Sequence, residues 1–200
     1  MTEVNFEVFS WGPPLLKFQL PKDELNSVIE ISKRAKVFDH SHRLVGQVEQ
    51  QLKFTKEDSS NILLSIGKYF DCYTEFVLGP DYEEKLNLNG MWINHMEDGD
   101  YNPIHIHGGH ITFVLYTYVS DELKLEQSRS PRDDIARPGD ICFTFGPQMT
   151  NTPILPIAIH NFSPDAGQLF IFPTYLSHLV YPFKSKGMHR SSISGNFTYE

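Results

Sequence analysis

Three histidines fall within one short run, His105-Ile106-His107-Gly108-Gly109-His110. Side chains at i and i+2 of a β-strand leave the same face, so His105 and His107 can aim two imidazoles at one point. Neutral imidazole is a ligand for Zn, Cu, Fe and Ni, and metal binding is the chemistry this spacing offers. An HxH pair alone does not specify a physiological metal; a third ligand is needed. The candidate is His178, set between Ser177 and the apolar Leu179-Val180. Taken alone, a histidine so placed reads as a satisfied core residue. Arg190 and Ser192 are again two apart and present a guanidinium and a hydroxyl on one strand face. That is a grip for a carboxylate, because Arg offers donors in a fixed fork. A surface Arg opening an edge strand is the competing reading and stays open.

These residues need a frame of strands. Residues 111–119 (ITFVLYTYV) are dense in β-branched and aromatic types and predict a strand just after the histidine pair. Residues 91–94, 141–145, 157–160, 168–172, 179–183 and 191–199 read as further strands, parted by Pro, Gly, Asp or Ser turns, with a turn at 97–100. Several short strands with no helix between them imply a sandwich or jelly roll. Upstream, residues 4–9 and 15–20 read as short strands. A helical pattern then opens at Asp23-Glu24-Leu25 and continues through Val28, Ile29 and Ile31. Residues 36–56 are polar and weakly periodic, a loop with a short element. Asp58-Ser59-Ser60 can cap a helix over residues 61–76, with Ile62, Leu63, Ile66, Phe70 and Tyr73 as its apolar stripe and Gly79-Pro80 as its stop. That helix is a support packed on a sheet. Residues 120–140 read as a charged surface loop beside the site, and they are expected to line its entrance with residues 146–156.

The chain's 200 residues suit one domain, with residues 1–87 as support and 88–200 as the core. A formal net charge of -8 gives no electrostatic reason to expect nucleic acid or anionic lipid as a partner. Cys72 and Cys142 form neither a disulfide framework nor a CxxC pair. No apolar run approaches the roughly 20 residues that span a bilayer, and the N-terminus lacks the pattern of a signal peptide. The expectation is a soluble cytoplasmic protein. Convincing paired carboxylates, a nucleophile motif and a phosphate-cradling glycine loop are all missing, so acid–base hydrolysis and phosphoryl transfer have nothing to build on.

Taken together, Asn102-Pro103-Ile104-His105-Ile106-His107, a Tyr-bearing strand, Gln168 through Phe172-Pro173-Thr174-Tyr175-Leu176-Ser177-His178, and Arg190 through Phe197 resemble the 2-oxoglutarate/Fe(II)-dependent oxygenase superfamily. The likeness is greatest to its small bacterial and phage branch related to prolyl 4-hydroxylase, and it covers residues 88–200. It implies a double-stranded β-helix (a cupin-like jelly roll) with supporting N-terminal helices, Fe(II) as cofactor and 2-oxoglutarate as co-substrate. The family's metal motif is HxD/E followed by a distal His. His105 and His178 match its first and last ligands, and His107 stands where the carboxylate usually is. Arg190 matches the basic residue that takes the far carboxylate of 2-oxoglutarate, and Ser192 the hydroxyl beside it. Asn94 and Tyr116, on neighbouring strands, would add hydrogen bonds to the co-substrate.

A third imidazole in place of a carboxylate leaves iron one unit more positive and should soften the preference for Fe(II) over Zn(II) or Cu(II). Asp100 and His110 are the spare ligands should His107 turn away. The chemistry implied is consumption of O2 and 2-oxoglutarate to give succinate and CO2, with hydroxylation of a C–H bond in a peptide residue or a small metabolite. Two other readings compete. One is a three-His cupin dioxygenase that uses no 2-oxoglutarate, of which thiol dioxygenases are the example. The other is a non-catalytic jelly roll with a structural or binding role.

Overall fold

The computed structural model describes residues 6–9, 12–130, 136–146, 158–187 and 189–200. In chain order the elements are β1 (Phe6–Phe9), β2 (Leu15–Gln19), α1 (Lys22–Arg34), β3 (Val37–Asp39), β4 (Gln50–Phe54), α2 (Lys56–Leu78), β5 (Leu86–Met96) and β6 (Asn102–His105). They continue with β7 (Ile111–Val119), α3 (Asp121–Ser128), β8 (Ile141–Phe145), β9 (Ala158–Phe162), β10 (Gln168–Pro173), β11 (Ser177–Val180) and β12 (Arg190–Tyr199). The strands form two antiparallel sheets. The larger runs β1-β2-β10-β7-β12-β5-β4-β3 and the smaller β6-β11-β8-β9. This is the expected double-stranded β-helix.

The large sheet is buried on both faces, and the period of two assigns each residue its side. On one face Ile111, Phe113 and Leu115 of β7, Met91 and Ile93 of β5, and Ile193 of β12 pack under the helices. There Ile62, Ile66, Phe70 and Tyr73 of α2 and Val28 of α1 complete the core. On the other, Val114 and Tyr116 meet Phe143, Phe170 and Phe172 in the space between the sheets. A register shift between β12 and β7 carries pairing from Ser191↔Tyr118 to Ser192↔Tyr116. The bulge keeps both Val119 and Tyr116 facing inward, the re-aiming for which bulges are used.

The helices end where local chemistry ends them. α2 starts at Lys56, earlier than the Asp58-Ser59-Ser60 cap predicted, because Thr55 accepts from the Asp58 backbone N–H at 3.1 Å while its hydroxyl donates to the Asp58 carboxylate. Gly79, at φ 90°, closes it with its own N–H on the Glu75 carbonyl.

Two predicted loops are corrected. Residues 36–56 carry β3 and β4, which extend the large sheet beyond β5. Residues 120–140 contain α3, opened by Ser120 accepting from the Leu123 N–H and by Asp121 and Glu122 in the first turn. β11 begins at Ser177, two residues before the predicted strand at 179 and ending short of 183. Of residues 146–156, all beyond Gly146 lie outside the described residues. Among the described residues no helix is long and apolar enough to cross a membrane.

Candidate metal centre

β6 and β11 are neighbours, and His105 stands directly opposite His178 in their ladder. His107 follows just past the end of β6. Its backbone N–H donates to the Thr174 carbonyl at 2.9 Å, while the Thr174 hydroxyl donates to the Gly109 carbonyl at 2.7 Å and the Thr174 N–H to the His110 carbonyl at 3.1 Å. The turn between β10 and β11 thus ties down the segment that carries His107. One ring nitrogen from each of His105, His107 and His178 lies within 4.8 Å of the others.

The details suit ligation. Nδ1 of His105 is 2.7 Å from the Pro103 carbonyl and Nδ1 of His178 is 3.0 Å from the Leu176 carbonyl. Each must carry its proton at Nδ1 to make that bond, which leaves Nε2 as a bare lone pair, the usual outer-shell device for orienting a ligating His. Nε2 of His107 and Nε2 of His178 are 3.2 Å apart. Two nitrogens each about 2.1 Å from a shared cation, at an angle of about 100°, would be separated by about 3.2 Å. Burial drives all three rings toward the neutral form. His107 is pushed down to about 3 by burial and then by the His105 ring, and His178, wholly enclosed, falls well below its ordinary value for the same reasons. His105 is lowered by burial against the opposing backbone carbonyls. Neutral imidazole is the form that binds metal.

The two spare residues are engaged elsewhere. Asp100 accepts from the Glu97 N–H at 2.9 Å in its own turn. His110 accepts from the Tyr199 N–H at 2.9 Å and stacks on the Tyr199 ring.

A cavity of about 330 Å³ opens beside the imidazoles between the two sheets, and Arg190, Ser192, Asn94 and Tyr116 all line it. Register explains why. Asn94 on β5, Ser192 on β12 and Tyr116 on β7 are partners across three adjacent strands, and Arg190 is the next inward position on β12. Arg190 is 1% exposed. It donates to the Gly139 carbonyl and the Met96 sulfur, its Nε has no partner, and its guanidinium carbon lies 5.4 Å over the Tyr116 ring. Among the described residues no carboxylate pairs with it. Burial lowers its affinity for the proton, opposed by Tyr116, Asp140 and Asp100. Burial likewise pushes the Tyr116 hydroxyl up to about 12, so it remains a donor. A buried guanidinium without a counter-ion is costly, and a bound carboxylate relieves that cost.

Several cavity-lining residues escaped the sequence reading: Gln51 and Lys53 on β4, Trp92 on β5, and Ser194 and Asn196 on β12. A signal existed in β12, where Arg190, Ser192, Ser194 and Asn196 alternate with Ser191, Ile193, Gly195 and Phe197. That alternation marks a wet inner face. On β4 the signal was hidden, because polar residues pointing into a cavity look like an unpaired loop.

A jelly roll with an imidazole cluster and a buried Arg in one interior cavity has the architecture of a metal-dependent oxidising enzyme. The model of the family described as "Putative 2OG-Fe(II) oxygenase" matches residues 90–196, more than half the chain, and the chain belongs to that family. It is therefore an Fe(II)- and 2-oxoglutarate-dependent oxygenase, which sets aside the three-His enzyme without 2-oxoglutarate and the non-catalytic jelly roll. Solved structures share the fold. A prolyl-4-hydroxylase from Pseudomonas putida is 14% identical with a TM-score of 0.57, over 94% of this chain and 93% of that one. A 2OG-Fe(II) oxygenase family oxidoreductase from Burkholderia pseudomallei is 14% identical, TM-score 0.58, over 91% and 84%. HygX from Streptomyces hygroscopicus, solved with nickel, 2-oxoglutarate and hygromycin B, is 11% identical, TM-score 0.57, over 92% and 82%. No curated protein matches by sequence.

Proposed function

We propose that His105, His107 and His178 hold the Fe(II), that Arg190 and Ser192 take the far carboxylate of 2-oxoglutarate, and that the enzyme hydroxylates a C–H bond of a peptide residue or small metabolite. Asn94 and Tyr116 add hydrogen bonds to the co-substrate. Iron held there would activate O2, one oxygen atom going to 2-oxoglutarate to give succinate and CO2 and the other to the substrate C–H bond. The chain's own residues bind, orient and exclude water. The His105 and His178 rings are locked by their carbonyl partners, so the ligand set is organised before metal arrives. Along β11 and β8 the next pair on the same face as His178↔Phe143 is Val180↔Ile141, two rungs on, and both of those apolar residues line the cavity. They form a dry wall suited to the methylenes of a short dicarboxylate. Beyond that rung, Arg190 is anchored on Gly139. Its fork, which touches a carbonyl and a thioether but no protein carboxylate among the described residues, would meet a carboxylate with geometry that a lysine would not reproduce.

The observation that carries this reading is a fully buried Arg190, touched by no carboxylate among the described residues, sharing one cavity with three neutral imidazoles. The test is an anaerobic titration with Fe(II) and then 2-oxoglutarate, watching for the visible charge-transfer band of a chelated 2-oxo acid. Wild-type protein develops the band. Protein lacking His178 takes up no iron, and protein lacking Arg190 binds iron but needs far more 2-oxoglutarate. Well-folded protein that develops no band overturns the reading.

A further inference from the structure

The cavity extends past the imidazoles to a rim where β4 and the segment before it bring in His40, Arg43 and Lys53. The whole chain has 25 acidic residues against 17 basic ones. Yet among the described residues the cavity is lined by Arg43, Lys53 and Arg190 and by no Asp or Glu. Elsewhere lysines find carboxylates: Lys17 pairs with Glu7, Lys33 with Glu30, Lys68 with Glu24 and Lys124 with Asp165. Lys53 is half-buried, and neither it nor the side chain of Arg43 has an ion-pair or hydrogen-bond partner among the described residues.

Lys53 is also well placed. It is the register partner of Trp92 on β5, and a Cβ placed on Gly90, the next inward position, would lie 3.8 Å from the Lys53 Nζ. The ammonium therefore hangs over the inner face of β5. The Trp92 ring is 6.0 Å from the His107 ring and 6.3 Å from that of His40, so it spans the distance between the imidazole cluster and the rim. Burial first, and then the charges of Lys53, His42 and Arg43, opposed by Asp39, hold His40 below its ordinary value. A partly desolvated cation without a protein partner is free to select an anion.

We infer that the primary substrate carries a carboxylate which docks on Lys53, with Arg43 beside it, so that the rest of the substrate lies over Trp92 toward the imidazole cluster. This rests on the site reading above. The carboxylate can belong to a small free acid or to an acidic side chain of a peptide, and one recognition chemistry serves both.

The experiment uses protein loaded anaerobically with Fe(II) and 2-oxoglutarate, whose binding is recorded first. Calorimetric titration then follows with N-acetyl amino acids, their methylamides, end-blocked peptides rich in Asp and Glu, and inorganic phosphate. Carboxylates are expected to bind at least about tenfold more tightly than the matching methylamides. Lys53→Met, with Lys53→Gln as a second variant, removes that difference and leaves the 2-oxoglutarate affinity as it was. Binding by the N-acetyl acids identifies a small-molecule source; binding by the blocked peptides alone identifies an acidic side chain. Methylamides that bind as well as acids, phosphate as the sole binder, failure of every probe, or indifference to both Lys53 variants overturns the inference while the site reading survives. If 2-oxoglutarate itself fails to bind in the first titration, both fall.

Discussion

His178 on β11 and His105 on β6 face each other directly across the ladder, with ring centroids 4.3 Å apart. Two histidines in register on adjacent strands are held by backbone pairing as well as by their own contacts. The proposed metal site is thus brought together by the fold itself, and one of its imidazoles can be deleted without dismantling the sheet. His178→Ala is expected to keep the far-UV spectrum of the wild type. It should weaken Fe(II) binding by more than about 100-fold, beyond the cost of losing a mere supporting partner, and abolish 2-oxoglutarate turnover. Equilibrium dialysis against Fe(II) and a succinate assay measure the two.

Arg190 gives a prediction in which stability and binding move oppositely. In the free protein its guanidinium is fully buried and satisfied by only a carbonyl and a thioether sulfur. Arg190→Met removes a buried charge that no carboxylate among the described residues touches, Asp140 and Asp100 acting on it only at longer range, so the metal-free variant is expected to unfold at a higher denaturant concentration than the wild type. Because Arg190 is the proposed partner of the far carboxylate, 2-oxoglutarate binding by the same variant should weaken by about 2–5 kcal/mol. Urea melts and calorimetry on the same samples check both. A variant destabilised without loss of 2-oxoglutarate binding would assign Arg190 to packing.

The depressed imidazoles make the metal-free protein sensitive to acid. His107 is held to about 3, and His105 and His178 are also lowered, chiefly by burial. The unfolded chain takes up protons near the ordinary histidine value of about 6.5, whereas the folded chain resists them. Stability is therefore full above that value and falls as pH drops toward the folded values. The slope is about 1.4 kcal/mol per pH unit for each such group. Urea midpoints in chelator between pH 7 and pH 5 should show this fall, and His178→Leu should make it shallower.

How much of this was legible in the sequence depends on which way a side chain faces. Strands packed on both sides, such as residues 111–119, announce themselves by β-branched and aromatic density, and β7 has those bounds. The i, i+2 spacings of His105 with His107 and of Arg190 with Ser192 already carried the geometry by which they enter one cavity. β4 was illegible because it is five residues long with only Leu52 and Phe54 facing the core, while Gln51 and Lys53 on its other face are polar and line the cavity. α3 was hidden by its eight-residue length and charge, although Ser120 followed by Asp121 and Glu122 is a helix start. No spacing could place Lys53 beside Trp92, a contact that exists only through strand register.

The third imidazole should leave its mark on metal choice. His107 stands where the family motif has a carboxylate, and its Nε2 lies 3.2 Å from that of His178. With three neutral imidazoles as the proposed ligands the site would give a divalent cation no charge compensation, and affinity should follow the general order in which Cu(II) outcompetes Fe(II). A carboxylate at position 107 neutralises one charge and hardens the donor set, favouring Fe(II) relative to softer competitors. His107→Asp is expected to raise the Fe(II)-to-Cu(II) affinity ratio by about tenfold or more, with His107→Gln, which adds no charge, as the control. Competition dialysis with both metals under anaerobic conditions reads the ratio directly. If Asp and Gln shift it equally, the charge argument is wrong and ligand reach alone governs selectivity. If neither variant shifts it while iron still binds, His107 is not a ligand, and a two-histidine site with solvent in the third position takes its place.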